Sequence, residues 1–170
     1  TVGDYSLKCI ETPGHTRGHI CLYEPDRKIL IAGDHVLVDI TPNITSWSDE
    51  GNPLKQYMSS LDKVYELDVD LVLPGHRRVF RNHRERIEQL KHHHQERLDE
   101  VVSILENGQR TAYQVASQMS WDMTYDSWDV FPLPQKWFAL GEALSHLRYL
   151  EEEGQVQNQA RDGVVVYWLT

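Results

Sequence analysis

The stretch Thr12-Pro13-Gly14-His15-Thr16-Arg17-Gly18-His19 decides how this chain is read. Two histidines sit around a glycine-rich turn, directly before the apolar run Ile20-Cys21-Leu22. Glycine lets the backbone turn sharply and leaves space beside a neighbouring side chain. Neutral imidazole is a ligand for zinc and for other divalent first-row ions. Such a turn holds a metal only when further donors reach it, and those have to come from elsewhere in the chain.

Two more stretches repeat the arrangement. Lys28 to Ala32 reads K-I-L-I-A and runs into Gly33-Asp34; Val69 to Leu73 reads V-D-L-V-L and runs into Pro74-Gly75-His76. Tyr5 to Ile10, which alternates polar and apolar residues, leads in the same way to Thr12 and His15. Each is a strand ending in a turn that presents one ligand-type side chain: His15, Asp34 or His76. A single turn of this kind is usually just a turn. Three in one order, each at the end of a strand, point to a metal centre.

T-P-G-H-T-R-G-H, I-L-I-A-G-D and L-V-L-P-G-H, in this order and spacing, resemble the later metal motifs of the metallo-β-lactamase superfamily, most nearly its glyoxalase II-like hydrolases. The resemblance covers Thr1 to about Phe80. It implies that His15 ligates a first metal, that Asp34 bridges both metals and orients the attacking water as the catalytic carboxylate, and that His76 ligates the second. His19 matches a histidine that is not a ligand in that family; it anchors the loop or hydrogen-bonds beside the site. His35 has no ligand role in the pattern and is either exposed or close to the site. The implied cofactor is Zn2+, two per intact site, with iron or manganese as alternatives. The implied substrate is a small molecule of ester type, since the superfamily takes thioesters, lactones, β-lactams, phosphodiesters and RNA.

The family's first motif, H-x-H-x-D-H, supplies four ligands and occurs nowhere in this sequence. The expected fold is therefore α+β: the second half of an αββα sandwich, followed by an extension. The chain does not open with methionine, and it is expected to be a fragment whose missing partner is the N-terminal half of the fold. Two ligands per ion hold metal weakly, so the chain alone is expected to be inactive. Its uncovered sheet should drive homo-oligomerisation. The rival reading is a non-catalytic or split protein that acts as an interaction module.

The remainder reads as mostly helical. Leu54, Tyr57, Met58, Leu61, Val64 and Tyr65 recur at helical spacing in Pro53 to Leu67. Asn82 is placed to cap a long helix from His83 to Glu106, closed by Asn107-Gly108. Its His92-His93-His94 run points in three directions roughly 100° apart, which prevents convergence on one ion and predicts a solvated surface. Thr111 to Met119 is a short helix, Ser120 to Pro134 a loop, Gln135 to Glu153 a stronger helix, and a hairpin closes at Ala160 to Gly163. That order is the order of a winged helix. The expected division is residues 1–82, a connecting helix at 83–107, and a winged-helix-like domain at 108–170.

Charge decides what the tail binds. The chain carries a net charge of -9, with a pI near 5.4. In the tail Arg110, Lys136, Arg148 and Arg161 are outnumbered by Asp122, Asp126, Asp129, Glu142, Glu151, Glu152, Glu153 and Asp162. Nucleic acid is a poor partner for such a surface. Packing, shaping a substrate entrance and dimerising remain, and Trp121, Trp128, Phe131, Trp137 and Phe138 are assigned to a local core ahead of a contact surface. Arg77, Arg78, Arg81, Arg84 and Arg86 are either an anion patch or a solvated helix start. No apolar run approaches the length of a membrane span. Cys9 and Cys21, outside any C-x-x-C pair, read as buried thiols of a cytoplasmic protein.

Overall fold

The computed structural model describes residues 3–46, 48, 50–122, 125 and 127–170. Asp126, counted above among the acids of the tail, lies outside them, as does part of the 120–134 loop. The chain divides into two compact units, one holding the chain up to Ile44 together with Pro53–His93, the other Thr45–Asn52 and His94–Thr170.

The first unit is built on a four-stranded sheet in the order β1 (Lys8–Glu11), β2 (Ile20–Glu24), β3 (Ile29–Gly33), β4 (Leu71–Pro74). β1 and β2 pair antiparallel with Ile10 opposite Cys21, and β2 and β3 with Tyr23 opposite Leu30. The turn between β2 and β3 is held by the buried Glu24 carboxylate, which accepts from the Arg27 N–H at 2.6 Å. β3 and β4 are parallel, with Leu30 opposite Val72, so the chain must cross over between them. It does so through α1 (Pro53–Tyr65). β1 starts later than the alternating pattern suggested, at Lys8 instead of Tyr5, and Tyr5 is exposed.

This topology sets where side chains leave the sheet. β1, β3 and β4 all run the same way, and β2 runs back between β1 and β3. The ends of β1, β3 and β4 and the start of β2 therefore share one edge, and from that edge come His15, Asp34, His76 and His19. The faces differ as sharply as the edges. Cys21, Tyr23, Leu30, Ala32 and Val72 are buried on one face, with the buried stripe Leu54, Tyr57, Leu61 and Val64 of α1 and Ile87 and Leu90 of α2 (His83–Glu106) as the apolar surface in the same unit. On the other face Ile20 is 45% and Ile31 38% exposed.

In the second unit β5 (Arg110–Thr111), β7 (Val164–Leu169) and β6 (Val156–Arg161) form a three-stranded sheet in the order β5-β7-β6. The hairpin closes at Asp162-Gly163. α3 (Ala112–Ala116) starts in a capping box: the Thr111 hydroxyl accepts from Gln114 N–H, and the Gln114 side chain accepts from Thr111 N–H. α4 (Leu133–Glu152) buries small residues, Ala139, Gly141, Ala143 and Ser145, together with His146, Leu147 and Leu150. α3 packs against α4.

Three expectations fail in detail, each for a packing reason. His94 is not solvated: it is buried against His146, because the face of α2 that carries Leu98, Val101 and Leu105 turns it inward. His92 is exposed and His93 half-buried. Of the five tail aromatics named above, Phe131 is buried and Trp121 and Trp128 are half-buried, while Trp137 and Phe138 are exposed, off the stripe of Ala139, Ala143, Leu147 and Leu150 that α4 buries. Cys9 is exposed, since it lies opposite Leu22 on the uncovered face of the sheet, whereas Cys21 is buried.

Candidate functional site

Asp34 is the centre of the cluster at the sheet edge. Its Oδ2 faces His15 Nε2 at 3.6 Å and its Oδ1 faces His76 Nε2 at 3.4 Å. Each carboxylate oxygen thus has its own imidazole. The side chains of His15 and Asp34 are 29% and 31% exposed and His76 is 64% exposed, so the cluster opens to solvent.

The surrounding hydrogen bonds orient these groups. His15 Nδ1 donates to the Asn43 carbonyl at 2.9 Å, leaving the Nε2 lone pair toward Asp34. A ligand histidine is commonly held in this way, by its other nitrogen on a carbonyl. His19 Nε2 accepts the Asp34 backbone N–H at 3.2 Å. That contact assigns the His19 proton to Nδ1, which faces the Thr12 hydroxyl at 2.8 Å. Thr12 can then donate to Cys21 Sγ at 3.4 Å, and the Cys21 thiol donates to the Ala32 carbonyl at 3.5 Å. Burial, reinforced by His15, lowers the His19 pKa, against a smaller opposing pull from Asp34. Burial also pushes the Cys21 thiol up to about 11. Both groups therefore stay neutral at pH 7, as this chain of donors requires.

His35 is neither exposed nor aimed at Asp34. Its ring is fully buried, 5.9 Å from the His19 ring and 5.2 Å from the Tyr57 ring, edge-on to the latter. Burial pushes its pKa down to about 3, so it is a neutral packing element behind the site.

Glycine is required where the turns approach other atoms. Gly14 has φ +147°, and a Cβ there would lie 2.5 Å from the Tyr57 Cβ. A Cβ on Gly75 would collide with Asp34 Oδ1, and the Gly75 N–H donates to the Gly33 carbonyl at 2.7 Å, tying the Asp34 turn to the His76 turn.

Two donor atoms that share one tetrahedral ion at about 2.1 Å each stand about 3.4 Å apart. The separations from Asp34 to His15 and to His76 match that span, once on each oxygen. The donors fit metal as two pairs joined at one carboxylate. Among the described residues no group of three or more His, Cys, Asp or Glu side chains is arranged to hold one ion.

The arginines beyond His76 are largely taken up by protein acceptors. Arg78 pairs with Asp39 through two nitrogens, at 3.1 and 3.2 Å. Arg86 donates to the Leu37 and Ile40 carbonyls at 2.7 and 2.8 Å, Arg81 to Asp70 and Arg84 to Tyr65 and Leu67. They fasten loops. Sequence reasoning did not find Asn43, Thr12 or Tyr57; a backbone carbonyl has no sequence signal, while Thr12 was visible as the first residue of the T-P-G-H turn.

Known proteins share this arrangement of strands and turns. The profile of the Metallo-beta-lactamase superfamily matches residues 3–76, and that of the Metallo-beta-lactamase-like, C-terminal domain matches residues 98–170. A crystal structure of a beta-lactamase domain protein from Burkholderia ambifaria superposes with a TM-score of 0.89 at 33% identity, over 100% of this chain and 50% of that one. The chain belongs to the metallo-beta-lactamase superfamily. Its relatives include the Beta-lactamase-like protein 2 homolog of Caenorhabditis elegans, 30% identical over 154 residues, which are 90% of this chain and 47% of that protein. The Acyl-coenzyme A thioesterase MBLAC2 of Homo sapiens is 37% identical over 87 residues, 46% of this chain and 28% of its own length. The chain spans about half the length of the C. elegans relative and of the B. ambifaria structure.

Proposed function

We propose that this chain carries part of the active site of a metal-dependent hydrolase that cleaves thioesters, with His15 and His76 as ligands of two different ions and Asp34 bridging them. The observation that carries the reading is the pairing of each Asp34 oxygen with a separate imidazole nitrogen. Nitrogen and carboxylate donors suit zinc, with iron or manganese as alternatives. Divalent ions bound there supply Lewis acidity, lowering the pKa of a water and polarising a carbonyl. The chain's own part is to hold the donors. His15 keeps its bare nitrogen on Asp34 through Asn43, and His19 grips the Asp34 backbone. Asp34 also offers an acceptor to orient the attacking water. The name of the human relative, an acyl-coenzyme A thioesterase, favours thioesters over the other ester-type substrates of the superfamily.

The glyoxalase II-like character rests on the motif order. The remaining ligands have to come from outside His15, Asp34 and His76, which makes the 170-residue chain by itself inactive. The second unit is winged-helix-like in its helix-helix-hairpin order, and we assign it a protein contact instead of a nucleic-acid one. Trp137 and Phe138 are exposed, and Glu151, Glu152 and Glu153 are acidic where a phosphate backbone needs cations. Among the described residues no helix is long and apolar enough to cross a membrane. Two free thiols, one of them exposed, suit the reducing cytoplasm.

The test is metal analysis with turnover on two preparations. The product of the complete coding sequence is expected to hold about two equivalents of metal and to release coenzyme A from acyl-coenzyme A. The 170-residue chain is expected to hold less than one and to show no turnover. Tight stoichiometric metal and turnover in the short chain would sink the inactivity claim; no metal and no turnover in the full product would sink the hydrolase.

A further inference from the structure

Two turns that carry the donors, Pro13 to His15 and Asp34 to His35, lie on different strands and share no backbone hydrogen bond with each other. They meet instead on one face of α1. Tyr57 is fully buried, and its hydroxyl donates to the His35 carbonyl at 2.9 Å. Its Cβ and Cα occupy the space that a side chain on Gly14 would need, at 2.5 and 2.6 Å. One turn further along the helix, the Ser60 hydroxyl, also buried, donates to the Pro13 carbonyl at 2.9 Å. The Tyr57 ring supports the His35 ring, which in turn lies beside His19, the residue that accepts the Asp34 N–H.

We propose that Tyr57, with Ser60, is a positioning residue that sets the spacing of His15 and Asp34 by fastening both turns to α1; the inference rests on the metal-site reading above. Helices are stiffer than loops, so a constellation referenced to one helix is held more closely than one referenced to two loops. The tie is polar at both ends and steric in the middle. The Tyr57 hydroxyl fixes the Asp34 side, Ser60 the His15 side, and the missing Cβ of Gly14 lets the turn lie flat against the helix. The Tyr57 hydroxyl reaches the His35 carbonyl and its Cβ the Gly14 turn, so it acts through the backbone of the two turns.

The experiment uses Tyr57→Phe, which removes only the hydroxyl, and Ser60→Ala, in the product of the complete coding sequence. Hydrogen exchange of the apo-protein is read first, because it requires no metal. Tyr57→Phe should speed exchange at residues 12–16 as well as at 33–36, with β2 and β3 unchanged, and Ser60→Ala should do the same from the other end. Loosening confined to 33–36 in Tyr57→Phe and to 12–16 in Ser60→Ala would overturn the tie. Cobalt binding is read second. Each variant should bind cobalt about tenfold more weakly, with altered d–d bands, at a melting temperature within a few degrees of the parent. Unchanged cobalt affinity and spectrum alongside a lower melting temperature would assign Tyr57 a purely structural role. If the parent binds no cobalt, the metal-site reading fails, and the exchange pattern still decides the tie. Should Tyr57→Phe not fold, Ser60→Ala decides both readings.

Discussion

The two units bury polar side chains to opposite ends. At the sheet edge of the first, Thr12, His19 and Cys21 form a line of hydrogen bonds that stops at a half-open carboxylate, leaving His15 Nε2, Asp34 and His76 Nε2 facing solvent. Between the helices of the second, the polar groups close on one another. His94 Nδ1 and His146 Nε2 lie 3.2 Å apart, His146 Nδ1 donates to the Glu142 carbonyl, and Arg97 reaches Glu142, Glu100, the Ser120 carbonyl and the Trp121 ring. The first cluster stays open to solvent at its carboxylate. The second pairs most of its groups with one another and holds helices in place. The carboxylate is the discriminating group in both, and removing it should have opposite consequences.

The largest effect is expected at Asp34. Asp34→Asn should lower metal affinity and turnover at least about 100-fold in the product of the complete coding sequence, judged against the loss typical of groups that only support a ligand. Its melting temperature should stay within a few degrees of the parent, because the carboxylate is part-exposed and its contacts to the two imidazoles are long, at 3.4 and 3.6 Å. Turnover retained within tenfold would place the metal elsewhere.

Glu142 should show the converse. Burial raises its pKa to about 7, with Arg97 pulling the other way. The folded pKa lies above the unfolded value of 4.5, so the native state binds the proton more tightly. The stabilisation is complete below pH 4.5 and is lost as pH rises through about 7, amounting to about 3 kcal/mol over that window. Glu142→Gln keeps the shape, and Arg97 retains Glu100 at 2.9 Å. Urea unfolding between pH 5 and 8 should be flatter in this variant than in the parent, with turnover unchanged. Equal slopes would show that Glu142 titrates normally.

Association comes next. The uncovered sheet face, with Ile20 and Ile31, should make the 170-residue chain self-associate, and Ile31→Lys should return it toward a monomer in light scattering. A monodisperse parent chain would count against that face as a sticky surface. The smallest effect separates the two thiols. Cys9 is exposed and Cys21 is buried with its pKa pushed up to about 11, so a thiol reagent should modify one equivalent per native chain and two on unfolding.

The three candidate donors could be picked out of the chain before folding, and the reason is geometric. Each donor follows an apolar run and precedes or follows a glycine, and strands that end in such turns must present the donor at an edge. His94 shows the limit. Three adjacent histidines on a helix point in three directions, which did not say which of them the helix would turn inward; Leu98, Val101 and Leu105 decided that. Trp137 and Phe138 failed for the same reason. On α4 burial goes to the stripe of Ala139, Ala143, Leu147 and Leu150, and Trp137 and Phe138 lie off it.

By itself, then, the sequence determined the superfamily, the strand-and-turn order, and the candidate donors His15, Asp34 and His76, because these follow from local pattern. Tertiary structure alone decided that each Asp34 oxygen meets a different imidazole, that His35 packs behind the site as a neutral ring, and that Tyr57 touches both donor turns. Those are contacts between segments on different strands and turns, set by how a parallel crossover places a helix beside the strand ends, and no local pattern records them.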